Sequence, residues 1–275
     1  MSPDGSVRRD LISDGRRHWA VLRAFVRSSI ARDMQSPGPL LVSMMTAVAS
    51  NSMFLAFWSV FLSRISPVSG FQTQDMVELW ACTTIGFGSV FLLFGNIHSL
   101  PSLVYQGKID VFLLLPCPPL LPLLTSVTGT SYLADIGFGF FAYLVFGNAT
   151  LLGFAQLLLA AGITAAIVAS FVLIVGSLSF WLKGMDSFGG YLVGALLQCS
   201  TYPGTIFQGV WRGVLFTIIP AAYINLAPVH LIGDFSATYA AVAIAVSLGA
   251  LVISRAIFYR GLRRYESGSA AGAQL

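Results

Sequence analysis

The sequence predicts an all-α polytopic membrane protein with six transmembrane helices, an N-terminal interfacial helix and an outer re-entrant helical hairpin. Of its 275 residues, 56% are hydrophobic and 9% are charged, whereas a typical soluble domain has about 25% charged residues. The mean hydropathy is +0.81. The apolar runs are long, whereas a membrane β-barrel would show segments of about ten residues with alternating polarity. These observations exclude a soluble enzyme, a disordered chain and a barrel.

Apolar runs with few or no charges that are long enough to cross a bilayer, about 20 residues, indicate the predicted spans. In chain order they are Leu40–Leu62, Met76–Ile97, Leu120–Phe146, Leu151–Leu182, Ser187–Thr205 and Ala237–Phe258. The pair Gly147–Asn148 is predicted to turn the chain between the third and fourth spans. The chain therefore divides into a cytoplasmic N-terminal segment 1–38, a six-span domain 39–262 and a cytoplasmic tail 263–275.

The basic residues predict that both termini are cytoplasmic, because cytoplasmic loops carry an excess of lysine and arginine. Segment 1–38 holds seven arginines, and the C-terminal end holds four. With six crossings, Lys108 and Lys183 also lie inside, and only Arg64 and Arg212 lie outside. Thirteen of the fifteen basic residues are then cytoplasmic, which is the distribution expected for a plasma-membrane protein.

The apolar run Gly213–Ile232 is long enough to be a seventh span, but seven crossings would put the basic termini on opposite sides. Pro220 and Pro228 interrupt this run, as they would in a broken helix. Non-spanning backbone at that depth is tolerated where protein or a wet cavity surrounds it. The sequence therefore predicts a short re-entrant hairpin on the outer face.

Residues 15–35 have the pattern of an amphipathic helix. Its apolar side chains fall within an arc of about 140°: Trp19, Leu22, Phe25, Val26 and Ile30. Three arginines line one border of that arc: Arg16, Arg23 and Arg27. This pattern favours a helix lying in the membrane interface; the alternative is a cytoplasmic helix that packs on a partner.

The sequence offers no catalytic arrangement, no metal site and no cofactor site. It contains no G-x-x-x-x-G-K-[ST], H-E-x-x-H or G-x-S-x-G motif. Its three histidines are widely separated, and the predicted topology puts His98 inside and His230 outside. The three cysteines lack metal-ligand spacing, so we interpret them as small apolar side chains.

Asp135 is the only acid deep in a predicted span. A carboxylate there is costly unless it is paired, protonated or facing water. It either lines a cavity or a proton route, or it makes an interhelical hydrogen bond to a hydroxyl, with Ser131, Tyr132 and Tyr143 nearby in sequence. In span five, Gly190 and Gly194 have the spacing that lets helices approach closely, within one subunit or between two.

The predicted cytoplasmic stretch Ser99–Pro119 has only two charges, Lys108 and Asp110. Its part Phe112–Leu115 is too apolar to lie in water alone. It is therefore either a lipid-facing approach to span three or a docking helix for a cytoplasmic subunit.

Two short motifs in this topology resemble the permease subunits of type-2 ATP-binding-cassette (ABC) exporters, the branch with six spans and a separate ATPase chain. YQGKID (Tyr105–Asp110) followed by LLLP (Leu113–Pro116) is similar to the family's G-x-[LI]-D…L-x-x-P stretch. YPGTIF (Tyr202–Phe207) before IPAAY (Ile219–Tyr223) and Pro228 is similar to the stretch before the family's last span. The resemblance covers residues 15–265.

The resemblance implies that two permease chains, identical or related, form the pathway, and that two soluble ATPase subunits bind ATP and Mg. It places the docking segment at 98–117, with its helix at about Leu100–Val111, and the outer hairpin at 206–232. Span five would line the central interface. Two departures concern the docking region: Leu115 stands where the family has an arginine, and Cys117–Pro119 is rich in proline.

The implied functional residues form three groups. The docking residues are Leu103, Tyr105, Gly107, Lys108, Ile109, Asp110, Leu115 and Pro116. The pathway residues are Asp135, Gly190, Tyr191 and Gly194. The hairpin residues are Pro203, Phe207, Trp211, Pro220, Tyr223 and Pro228.

The apolar walls favour an amphipathic or lipophilic substrate such as a drug, lipid or peptide, and nothing in the sequence indicates nucleic-acid binding. Two other classes stay open. One is a membrane-embedded lipid-modifying enzyme, which needs converging polar groups inside the bilayer. The other is an ion-coupled secondary transporter, which needs internal repeats and several intramembrane charges. Both would depend on Asp135.

Overall fold

The computed structural model describes residues 4–64, 73–147, 149–202, 209–217, 219–233 and 235–265. Over these ranges the chain forms helices and no strand. The α-helices are α1 Asp4–Gln35, α2 Pro37–Arg64, α3 Thr73–Leu93, α4 Leu100–Tyr105, α5 Asp110–Leu113, α6 Leu120–Thr125, α7 Leu133–Phe146, α8 Leu151–Ser177, α9 Met185–Thr201, α10 Val210–Thr217, α11 Ala222–Asn225 and α12 Ala237–Leu262. Short 3₁₀ turns at Gly95–Ser99, Thr130–Tyr132 and Leu178–Phe180 and a π-turn at Pro228–Gly233 connect some of them.

Four of these helices are long and apolar enough to cross a membrane: α2, α3, α12, and α8 extended to Phe180. They coincide with predicted spans one, two, four and six, which confirms an all-α polytopic fold. The segment Thr130–Phe146 is shorter, and α9 has 17 residues. Predicted span five runs past α9 to Thr205, outside the described residues. The number six therefore stays a prediction.

Local capping explains where the last two long helices begin. The Thr150 side chain accepts a hydrogen bond of 3.0 Å from the Gly153 amide at the start of α8. The Ser236 side chain accepts one of 3.2 Å from the Tyr239 amide at the start of α12. Each cap satisfies a backbone donor that has no partner within the helix.

The core forms around α3, which packs on α7 and α8, while α8 packs on α12. Small residues let these helices approach closely. A Cβ added at Gly139 of α7 would lie 2.5 Å from the Thr84 hydroxyl of α3. Most of α3 is buried, whereas most of α2 is exposed. The helix α2 therefore lies at the edge of this subunit.

The predicted third span is not one helix. It divides into α6 and α7, with an irregular stretch between them. The Asn96 amide, after α3, donates hydrogen bonds to the Leu123 carbonyl at 2.9 Å and to the Ser126 hydroxyl at 2.7 Å. The Gly129 amide donates to the Phe91 carbonyl at 3.2 Å. These bonds stabilise the break, because they satisfy polar groups that an unbroken helix would pair internally.

The N-terminal helix α1 packs on its own chain, an arrangement that neither interpretation of the sequence specified. The ring of Phe25 lies 6.4 Å from the ring of Phe112. Ser29 is 2% exposed, and its hydroxyl accepts a 2.8 Å hydrogen bond from the Thr128 amide. Membrane-interface binding by the arginine border stays a prediction.

The predicted outer hairpin consists of short elements: α10, α11 and the π-turn. The helix α11 packs against α3, α8 and α9. The Tyr239 hydroxyl of α12 donates a 2.9 Å hydrogen bond to the Tyr223 carbonyl. The breaks at Pro220 and Pro228 agree with the predicted broken helix. The side of the membrane on which this hairpin lies stays a prediction.

Candidate functional site

The predicted docking segment 98–117 forms two short helices, α4 and α5, joined by a tight turn. The Lys108 amide donates a 3.0 Å hydrogen bond to the Leu103 carbonyl across this turn. Gly107 has φ +70°, the left-handed region that glycine enters without a steric penalty. The glycine of the motif therefore has a conformational reason, which is to end α4 in a left-handed turn.

This segment has a buried side and an exposed apolar side. Ile109 is fully buried, and Phe112 is 9% exposed. In contrast, Tyr105 is 84% exposed and Leu114 is 86% exposed. The remaining predicted docking residues divide between half-buried positions, which are Leu103, Gly107, Asp110 and Leu115, and exposed positions, which are Lys108 and Pro116. The segment is anchored by its core side and presents large apolar side chains outward.

The C-terminal end of the chain contacts the same segment. The ring of Tyr265, three residues after α12, packs edge-on against Phe180 at 6.3 Å. Burial and the neighbouring Asp110 carboxyl raise the pKa of Tyr265 to about 12. Asp110, the first residue of α5, thus lies beside Tyr265, just after α12, and the sequence motifs did not reveal this contact.

Asp135 lies in the first turn of α7, and its partner is on α2. The Asn51 amide donates a 2.8 Å hydrogen bond to Asp135 Oδ1. The helix start also favours a carboxylate there. The hydrogen-bond alternative considered Ser131, Tyr132 and Tyr143 as partners, and the bond described here comes from Asn51. The break in the third span places Asp135 near a helix end, so α2 can reach it.

A cavity of about 280 Å³ lies beside this pair, between α2, α3, α7 and α9. Its wall contains four aromatic residues: Trp80, Phe87, Phe91 and Tyr132. His98 also lines it and stacks on Phe91 at 4.2 Å. His98 lies after α3, and burial lowers its pKa from the usual value. The structure therefore places Asp135 and His98 on the wall of one cavity, a relation that the sequence did not indicate.

The two glycines of α9 lie on an exposed face. A Cβ added at Gly190 or Gly194 would meet no described atom of this chain within 4 Å. Tyr191 beside them is 78% exposed. The close-approach motif is therefore not used for packing within the described part of this subunit.

The predicted hairpin residues do not line this cavity where the structure describes them. Trp211 is exposed, and Pro220 is half-buried. Tyr223 is also half-buried and packs edge-on against Phe216 at 5.3 Å. Pro228 starts the π-turn. Two predicted residues, Pro203 and Phe207, lie outside the described part of the chain.

Sequence reasoning missed two polar residues of the core. Asn51 is the single amide side chain in predicted span one, which is the signal that could have identified it. Glu78 of α3 is 2% exposed and accepts a 3.1 Å hydrogen bond from the Gln74 side chain. Within the described ranges, no cluster of three His, Cys, Asp or Glu residues could hold a metal ion.

Comparison with known proteins identifies the class. The profile of the family described as "ABC-2 family transporter protein" matches residues 48–269, which is most of the chain. The chain belongs to this family. It is therefore a multi-pass membrane protein and a permease component of an ABC transporter, a class that is normally non-catalytic and has its ATPase in a separate subunit. A search of curated proteins finds no match.

Proposed function

We propose that this chain is the permease subunit of an ATP-driven ABC exporter in the plasma membrane. It forms the pathway with a second permease chain, identical or related, and couples to two soluble ATPase subunits that bind ATP and Mg. Its termini are cytoplasmic, and its substrate is amphipathic or lipophilic, in the class of drugs, lipids or peptides.

The observation that carries this proposal is the two-sided docking segment. Ile109 and Phe112 hold it to the core, while Tyr105 and Leu114 are left exposed. Exposed apolar side chains at a predicted cytoplasmic surface indicate a protein contact. An ATPase subunit is the partner that the family requires.

The contacts of this segment supply a route for coupling. Phe112 packs on Phe25 of α1, and α1 continues into α2 through the bend at Ser36. Asp110 lies against Tyr265, just after α12. A displacement of the segment by the ATPase would therefore be transmitted to α2 and α12 through these packed contacts. Alternating access requires such helix movements.

The second permease chain has a suitable surface on α9. Gly190 and Gly194 leave a groove without side chains, next to the exposed ring of Tyr191. In a bilayer, such small-residue faces let another helix approach closely. These features support a dimer formed across α9.

Purification of the full-length chain from its native membranes in mild detergent tests the proposal. We expect a soluble chain with a nucleotide-binding motif to co-purify. Leu114→Ala should weaken this association by about tenfold, as expected for a central apolar contact. Leu182→Ala is the matched control, since Leu182 is also exposed and lies at the predicted cytoplasmic end of span four.

An unchanged association with Leu114→Ala would show that the segment does not dock the ATPase. If the intact chain purifies without an ATPase and its deletion affects no ATP-dependent transport, the exporter assignment fails. The intramembrane Asp135–Asn51 pair would then direct attention to an ion-coupled carrier or a lipid-modifying enzyme.

A further inference from the structure

The cavity beside Asp135 combines one carboxylate with an aromatic wall, and neither the docking segment nor the α9 face requires that combination. Its volume of about 280 Å³ is at the low end of the roughly 300–1,000 Å³ range of ligand pockets. We propose that it binds a small lipophilic organic cation, such as an aromatic quaternary ammonium. The role of this cation as a transport substrate rests on the proposed exporter function.

Charge selects the ligand class. The residues that line the described cavity include Asp135 but no lysine or arginine. The Asn51 amide donates to one oxygen of this carboxylate, Oδ1. A carboxylate at membrane depth is stabilised by an opposite charge. A bound cation supplies that charge, whereas an anion would be repelled.

The aromatic wall suits the same ligand. Trp80, Phe87 and Phe91 lie on one face of α3, and Tyr132 precedes α7. The ring of Phe91 lies 5.2 Å from that of Tyr132 and 4.2 Å from that of His98. Aromatic faces attract cations within about 6 Å of the ring centroid. Burial lowers the pKa of His98, which favours its neutral imidazole beside such a ligand.

The position of the cavity connects it to the pathway. Val193, Gly194 and Leu197 of α9 form one of its sides, and Gly194 also belongs to the face proposed to meet the second permease chain. A change in the contact between the two chains would therefore change access to the cavity. The size of the cavity favours a one-ring or two-ring cation over a large peptide.

Binding to the full-length chain in lipid nanodiscs tests this inference without any ATPase. The probe is phenyltrimethylammonium, measured by ligand-observed NMR, and its neutral isostere tert-butylbenzene is the comparison. Empty nanodiscs of the same lipid correct for partitioning. We expect the cation to bind more tightly than the isostere. Asp135→Asn should weaken cation binding by about tenfold or more, because charge attraction is strong at low effective dielectric.

Two further variants make the result specific. Asp135→Glu keeps the charge and should keep the cation preference. Asp186→Asn removes an exposed carboxyl at the start of α9, which gives the same change in net charge, and should leave binding unaltered. Equal binding of cation and isostere by the unmodified chain overturns the inference, even if Asp135→Asn does not fold. An ATPase that co-purifies with a chain lacking cation preference would leave the exporter function standing and refute the cation site alone.

Discussion

Replacing Gly107 by alanine tests whether the turn of the docking segment must have its observed shape. Gly107 has φ +70°, and a non-glycine residue in the left-handed region costs about 1–2 kcal/mol. If this cost applies to the docking-competent conformation, the population of that conformation falls by a factor of about 5–30. The apparent affinity of the purified permease for its ATPase should fall by a similar factor, measured by titration in detergent.

Two matched variants accompany this change. Gly107→Asn should lose less affinity than Gly107→Ala, because asparagine enters the left-handed region more readily. Gly38→Ala is the control, since a Cβ at Gly38 meets no described atom within 4 Å and its φ is not positive. Equal affinities for the alanine, asparagine and unmodified chains would refute the reasoning, because the left-handed turn would then have no part in docking.

Two further predictions concern the contacts around the docking segment. Ser29→Ala removes the hydroxyl that accepts a hydrogen bond from the buried Thr128 amide, and it should destabilise the protein by about 1–3 kcal/mol. Thermal unfolding in detergent measures this loss. The control is Ser28→Ala, which changes an exposed serine and should have little effect. Tyr265→Phe concerns alkaline pH. The folded pKa of Tyr265 is about 12, above its ordinary value of 10.0, so the folded state binds more protons between these values and loses stability as pH rises through them. The variant should show a smaller fall in unfolding temperature over that interval, and an equal fall would show that burial and Asp110 do not raise the pKa of Tyr265 in the folded state.

Run length and basic residues predicted the long helices because both signals are local. The spans starting at Leu151 and Ala237 begin at the predicted residues, where Thr150 and Ser236 supply caps. The docking role of segment 98–117 stays a prediction, but its apolar character was predicted, since a stretch with a glycine and few charges is visible in the sequence. The sequence did not predict which side of this segment is exposed, namely the side with Tyr105 and Leu114.

The third span shows the limit of local signals. Its prolines indicated irregularity, but the break is stabilised by Asn96 and by the backbone of Phe91, both distant in sequence. The hydrogen-bond partner of Asp135 was not identified from the sequence, which offered only nearby hydroxyls as one alternative. Asn51 is 84 residues away, and only the packing of α2 on α7 brings the two side chains together.

The sequence by itself determined that this chain is a helical membrane protein, because hydrophobicity and charge are properties of the chain itself. The tertiary structure decided what surrounds each polar group. It placed Asn51, Asp135 and His98 around one aromatic cavity, and it anchored the docking segment to α1 and to the end of α12. Such contacts depend on which helices pack together, and helices from distant parts of a chain meet only when it folds.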